Sequence, residues 1–154
     1  MRRYLMMCCV LLSLATTIPA GEPVKESVEV VLGPKRYRED DVVKITDVTS
    51  TSPRLEPGDT VRVKGLVTLD SQEAATLSLY LTQTKFGGST PTDRKQLLEI
   101  QKGQTEFDLE ITIRHTGVLH LTMYDNGGRP IGGVYFGTEA QMKPIERWTL
   151  SHYR

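Results

Sequence analysis

At 154 residues the chain has the length of one domain, and its 19 basic side chains are matched by 19 acidic ones, a balance that excludes the basic stripe of a nucleic-acid binder. Both cysteines, Cys8 and Cys9, lie in the first ten residues, so the rest of the chain has no disulfide framework and must be held by its core. A domain of this size buries roughly two-thirds of its unfolded surface.

Arg2 and Arg3 precede an apolar run, residues 5–14, followed by Thr-Thr-Ile-Pro-Ala-Gly. These are the regions of a secretory signal peptide in their usual order, and the apolar run is short for a membrane span. Residues 1–20 are expected to be a signal peptide with Ala20 last before cleavage, an uncleaved anchor being the alternative. The chain is therefore expected to be secreted, to the periplasm or the extracellular space, with no membrane span after cleavage. Cys8 lacks the small residue that precedes a lipidated cysteine, and the pair reads as hydrophobic filler. Taking Arg2 and Arg3 from the 19 basic residues leaves 17 against 19 acidic, a net of about −2.

Residues 21–41 form a polar N-terminal segment with one candidate short strand at 28–32, stopped by Gly33-Pro34. The run from Lys35 to Asp41 reads as a solvated connection. A calcium site at Glu39, Asp40, Asp41 and Asp47 is the functional alternative, but the spacing lacks the alternating ligands and central glycine of a calcium loop. No metal or cofactor is expected.

From residue 42 to 140 the chain reads as one β domain. Strands are expected at 42–48, 60–69, 75–84, 94–101, 105–113, 117–124 and 131–137, with turns at 70–74 and at Gly103-Gln104 and a long Gly/Ser/Thr/Pro loop at 85–93. Alternation places Leu77, Leu79 and Leu81 inward and Thr76, Ser78, Tyr80 and Thr82 outward. It gives residues 105–113 an apolar inner face and an acidic outer one. The strongest signal is the hairpin around Asp125-Asn126-Gly127-Gly128, where Asn-Gly predicts a type I′ turn. Pairing across it sets Leu119 against Val134, or Leu121 against Val134 with a longer loop. Either register puts Leu119, Leu121, Met123, Val134 and Phe136 inward and His120, Thr122, Tyr124 and Tyr135 outward. Gly132 and Gly133 mark a bulge or a close approach. Residues 141–154 form a C-terminal tail with the only tryptophan, Trp148, readable as strand or short helix.

Seven short antiparallel strands predict an all-β, immunoglobulin-like β-sandwich. The stretch Pro57-Gly58-Asp59-Thr60-Val61-Arg62-Val63-Lys64-Gly65 resembles the second strand of bacterial immunoglobulin-like domains, and residues 107–124 resemble their fifth and sixth strands around a glycine turn. Gly65 stands near the position of the first cysteine of antibody-type domains and Leu119 near that of the corner tyrosine, so the likeness is to the broad architecture. Together with the signal and the terminal GGVYFGT, the chain is also similar to small uncharacterised secreted proteins of environmental bacteria. The resemblance implies no activity.

Catalytic readings find little. His115, His120 and His152 have no ligand spacing, no Gly-x-Ser-x-Gly elbow is present, and Glu106, Asp108 and Glu110 read as the solvated side of a half-buried strand. The chain is not expected to be an enzyme. In the immunoglobulin-like order the third, sixth and seventh strands share a sheet, which brings Tyr80, His120, Tyr124 and Tyr135 to one outer face. Tyrosine combines large contact area with a polar tip. The expectation is a non-enzymatic binding or accessory module that engages a protein partner in the cell envelope or outside the cell through this face, with a contribution from the Phe86-Gly87-Gly88 loop. A carbohydrate-binding module is the alternative, and a small secreted hydrolase ranks third. The competing structural reading is a set of cross-strand aromatic pairs covered by the tail.

Overall fold

The computed structural model describes residues 24–38, 40–85 and 87–148. The expected signal peptide, Glu39, Phe86 and the end of the tail with His152 lie outside the described residues. The fold is all-β, with seven antiparallel strands in one curled sheet. The strands are β1 (Glu26–Ser27), β2 (Val31–Arg36), β3 (Val42–Ser50), β4 (Thr60–Gln83), β5 (Leu97–Thr112), β6 (Gly117–Tyr124) and β7 (Pro130–Gly137). Their order is β1-β3-β4-β6-β7-β2, and β5 pairs with β4.

β4 organises this arrangement. Its 24 residues exceed what a twisted strand can run without bending, and it serves two groups of neighbours. Residues 60–69 lie between β3 and the far half of β5, whereas residues 74–83 lie between the near half of β5 and β6. The register against β5 shifts between Leu69 and Ala74, and there the strand bends. The alternating runs predict chain reversals at 70–74 and at Gly103-Gln104, and neither occurs. Each is a bend inside a continuous strand, so four expected strands are two.

The cause lies well before β4 in sequence. The Asp41 carboxylate, 1% exposed, accepts from Asp70 N at 2.7 Å, Ser71 N at 2.9 Å and Ser71 Oγ at 2.6 Å. It gives the N–H groups at the bend the partners that a hairpin would otherwise supply. The acidic side chain read as solvated is thus buried and structural.

The inner face holds one core. Val61, Val63, Val67 and Leu69 from the first part of β4 meet Leu77, Leu79 and Leu81 from the second, with Phe107, Leu109 and Ile111 of β5 and the expected Leu119, Leu121, Met123, Val134 and Phe136 of the hairpin. Gly65 pairs with Phe107, and a Cβ there would stand 2.7 Å from Phe107 Cζ and 2.1 Å from Lys44 O, so the ring occupies the place of a side chain. On the opposite surface Asp108 is clamped by Arg62 Nε and Nη2, both at 2.6 Å, and Glu110 is held by Lys25 and by Lys95 at 3.4 Å. Hydrogen bonding from Arg62 first, then its charge, lowers the Asp108 pKa, and hydrogen bonding from Lys25 first lowers that of Glu110. Two of the three carboxylates of the acidic outer row, Asp108 and Glu110, are therefore ion-paired.

Three further details differ from the sequence reading. Gly33-Pro34 does not end a strand but lies inside β2, at the register shift against β7 between Leu32 and Lys35, and the candidate strand at 28–32 is replaced by β1 and β2. Residues 94–96 form a 3-10 turn before β5. The hairpin adopts the register with Leu121 opposite Val134, and its turn is not type I′. Gly128 N donates to Asp125 O at 2.9 Å, and only Gly128 has positive φ, 74°. The Asp125 carboxylate accepts from Gly127 N and Arg129 N, each at 2.9 Å, so Asn126 does not need the left-handed region. The tail begins as helix, α1 (Glu139–Met142) and a 3-10 turn Lys143–Ile145.

The clamp on β4 is testable. Asp41→Ala is expected to lower the unfolding free energy in urea by about 3 kcal/mol, because it strips the acceptor from two N–H groups and a hydroxyl. Asp41→Asn should lose clearly less, since its amide oxygen still meets both N–H groups. Wild-type stability in the alanine variant would show that the bend holds without the carboxylate.

Candidate functional site

The outer face of the second part of β4, with β5, β6 and β7, presents side chains in transverse rows. The register puts Glu99, Thr76 and Tyr124 in one row and Leu97, Ser78, Thr122 and Gly133 in the next. Tyr80, His120 and Tyr135 make the third. In the middle row, Ser78, Thr122 and Gly133 set small residues between the two rows that carry the aromatics, about 7 Å from each. At Gly133 a Cβ would be 2.4 Å from Leu121 O, which is the close approach its sequence context predicts.

The small row lets the large side chains lie down. Tyr80 and Tyr124 start from different rows yet meet edge to face with centroids 6.0 Å apart, over Ser78 and Thr122, which are each 1% exposed. Tyr80 also stacks on His120 at 5.8 Å, and His120 lies 4.9 Å from Tyr135. His120 is fixed through both ring nitrogens, Nε2 to Thr82 Oγ1 at 3.1 Å and Nδ1 to Thr122 Oγ1 at 2.9 Å. Burial first, and then the neighbouring Tyr80 phenol, push the Tyr124 pKa up to about 12. Tyr124 is a neutral hydrogen-bonding phenol at physiological pH.

All four sequence-predicted residues lie together, but not equally in reach. Tyr80 and Tyr124 are half-buried, whereas His120 and Tyr135 are buried, 8% and 3% exposed. Tyr135 belongs to a second apolar cluster with Val118, Met142 and Ile145, and Trp148 packs on it edge to face at 5.6 Å. The start of the tail covers this end of the face, as the competing structural reading anticipates. Gly33 makes room for it, since a Cβ there would be 2.5 Å from Met142 Sδ.

Beyond the tail the face forms a groove of about 1010 Å³ with Tyr80, Tyr124 and His120 in its lining and the largely covered Tyr135 at its margin. One wall is the loop at Ser89–Thr92 with Leu97 and Glu99, and the other is the hairpin turn at Asp125, Asn126, Gly128 and Pro130. The loop wall is pinned by Thr90 N donating to Leu81 O at 3.3 Å and by Gln96, whose Nε2 donates to Leu79 O at 3.1 Å while Oε1 accepts from Asp93 N at 2.8 Å. Thr90 Oγ1 is buried and has no hydrogen-bond partner among the described residues. Ser78, Thr122, Gly133, Glu99 and the loop threonines are the parts of the site that sequence reasoning misses. Their signal is positional, a small residue two places from each aromatic on three paired strands.

Other candidates lie elsewhere. His115 is an exposed turn residue away from the groove, and no cluster of three or more metal-ligating side chains occurs among the described residues. No protein-family model, curated protein or solved structure matches the chain.

The raised Tyr124 pKa gives a direct check on this packing. Ultraviolet titration is expected to show one tyrosine ionising only near pH 12, a step that Tyr124→Phe removes. The folded-state value lies above the ordinary 10.0, so the native state holds this proton more tightly than the unfolded chain. The stability this brings is complete below pH 10 and declines as the pH rises towards 12. Complete native-state titration at the ordinary value would contradict the packed arrangement.

Proposed function

We propose that the chain is an exported, non-catalytic binding or accessory module built on an immunoglobulin-like β-sandwich plan, and that its ligand lies in the groove over Tyr80 and Tyr124. The observation that carries this reading is the tyrosine platform: two rings laid across small residues at the bottom of a concave space with hydroxyl-bearing walls. Concave sites with a few well-placed polar groups are typical of ligand binding. Rigid phenols offer contact area at little entropic cost.

Shape favours one of the two ligand kinds expected from the sequence. Protein interfaces have an apolar core and a polar rim, whereas this surface is hollow and its walls carry Ser89, Thr92 and Asn126. A polysaccharide suits it better, with the less polar faces of its rings on the tyrosines and its hydroxyls towards the walls. A protein partner retains one supporting observation, the apolar rim of Pro91, Pro130 and Leu97, the last 39% exposed. Export is supported by the basic-then-apolar N-terminus. The non-catalytic reading is supported by His120, buried between Tyr80 and Tyr135 with both nitrogens engaged.

Intrinsic fluorescence titration against a panel of polysaccharides tests the proposal. At least one should perturb the spectrum, and Tyr80→Ala and Tyr124→Ala should each weaken its binding by about tenfold or more, the equivalent of ~1.4 kcal/mol, with the fold verified by circular dichroism. Flat titrations across the panel, combined with cross-linking to a defined protein that the same substitutions abolish, would replace the carbohydrate with a protein partner.

A further inference from the structure

The charge of the groove narrows the ligand. We infer that it is an uncharged glycan, and that Glu99 is the residue that turns acidic glycans away; this rests on the reading of the groove as a carbohydrate site. No lysine or arginine is among the residues lining the groove, whereas each wall carries a carboxylate, Glu99 on β5 and Asp125 at the hairpin turn.

The two carboxylates differ in what balances them. Asp125 is matched by Arg129, whose Nη2 stands 2.9 Å from Oδ2, and its other oxygen accepts from Gly127 N and Arg129 N. Its charge is spent on the turn. Glu99 is exposed, receives a hydrogen bond from Thr76 Oγ1 at 3.0 Å, and has no ion-pair partner among the described residues. The basic residues flanking it in sequence are engaged with other acids, Lys95 with Glu110 and Lys102 with Glu73, each at 3.4 Å.

A phosphate, sulfate or uronate on the platform would therefore face an uncompensated negative charge on one wall and no lining cation to offset it. An uncharged sugar meets neither cost. Its hydroxyls can donate to the Glu99 carboxylate, which strengthens such a bond relative to a neutral acceptor. The same carboxylate thus favours neutral polyhydroxylated chains and disfavours acidic ones.

Affinity electrophoresis of the full chain through gels carrying a dissolved polymer tests this. The probes are neutral polymers, a glucan, a mannan and a xylan, and acidic ones, alginate and polygalacturonate. At least one neutral polymer should retard the wild-type chain, and the acidic ones should not at low salt. Glu99→Lys should create retardation by acidic polymers of about tenfold or more in affinity, the scale of one charge reversal at a partly solvated site, and added salt should erase it. Glu99→Gln should weaken retardation by the neutral polymer, because a neutral amide oxygen accepts a hydroxyl less strongly than a carboxylate; undiminished retardation would count against the role given to Glu99.

Wild-type retardation by acidic polymers equal to that by neutral ones would overturn the inference while leaving the carbohydrate reading in place. So would a Glu99→Lys variant that still binds the neutral polymer and ignores the acidic ones. Absence of retardation by every polymer would remove the carbohydrate reading and the inference with it.

Discussion

The contact on which the sheet depends is the one between Asp41 and the bend of β4. A 24-residue strand accumulates too much twist to stay paired with the same neighbours from end to end. It either breaks into a hairpin or bends and changes partners. The Asp41 carboxylate decides in favour of bending, because it meets Asp70 N, Ser71 N and Ser71 Oγ without the chain reversing. Once β4 bends, its two parts can both turn the odd-numbered residues inward, and Val61, Val63 and Val67 share a core with Leu77, Leu79 and Leu81. β5 follows the same course on one side, with Gly103 at φ 104° opposite Leu69.

The site depends on that bend at one remove. Only the second part of β4 pairs with β6, so only there do Thr76, Ser78 and Tyr80 line up with Tyr124, Thr122 and His120. Rows two residues apart leave space between aromatic side chains, and a large residue in the middle row would fill it. Ser78, Thr122 and Gly133 do not. The rings of Tyr80 and Tyr124 fall across them instead of standing into solvent, and this converts three upright aromatic strands into a platform. The tail supplies the boundary, covering Tyr135 through Met142, Ile145 and Trp148 and leaving the other end open.

Much of this was legible in the sequence, and the rest was not for identifiable reasons. Period-two alternation reports which face a residue takes regardless of the strand's partner, so the inward set of the hairpin and of residues 75–84 could be read directly. Alternation cannot report whether two runs separated by polar residues are joined by a turn or by a bend. Asp70 and Ser71 look like turn formers locally, and the group that holds them in a bend is 29 residues earlier. The hairpin turn fails similarly: Asn-Gly points to type I′ only if Asp125 does not compete for the backbone N–H groups, and here it does. The four aromatic site residues came from face and strand order. Their unequal burial did not, because it follows from where the tail packs and from which neighbours are small.

The two outer surfaces of β4 finally differ in chemistry although one strand builds both. On the first part its even-numbered positions include Arg62 and Lys64, which pair with Asp108 of β5, while Lys25 and Lys95 pair with Glu110. Exposed ion pairs of this kind add little stability each. They do keep a long paired surface polar on both strands, as a sheet edge requires. On the second part the even positions are Thr76, Ser78, Tyr80 and Thr82, without a single charge, and the carboxylates stand at the walls. A ligand attracted by positive charge would find no lysine or arginine in the lining of the groove. What remains to attract one is ring surface and hydroxyl groups, and on β4 the ring surface is confined to the half of the strand beyond the bend.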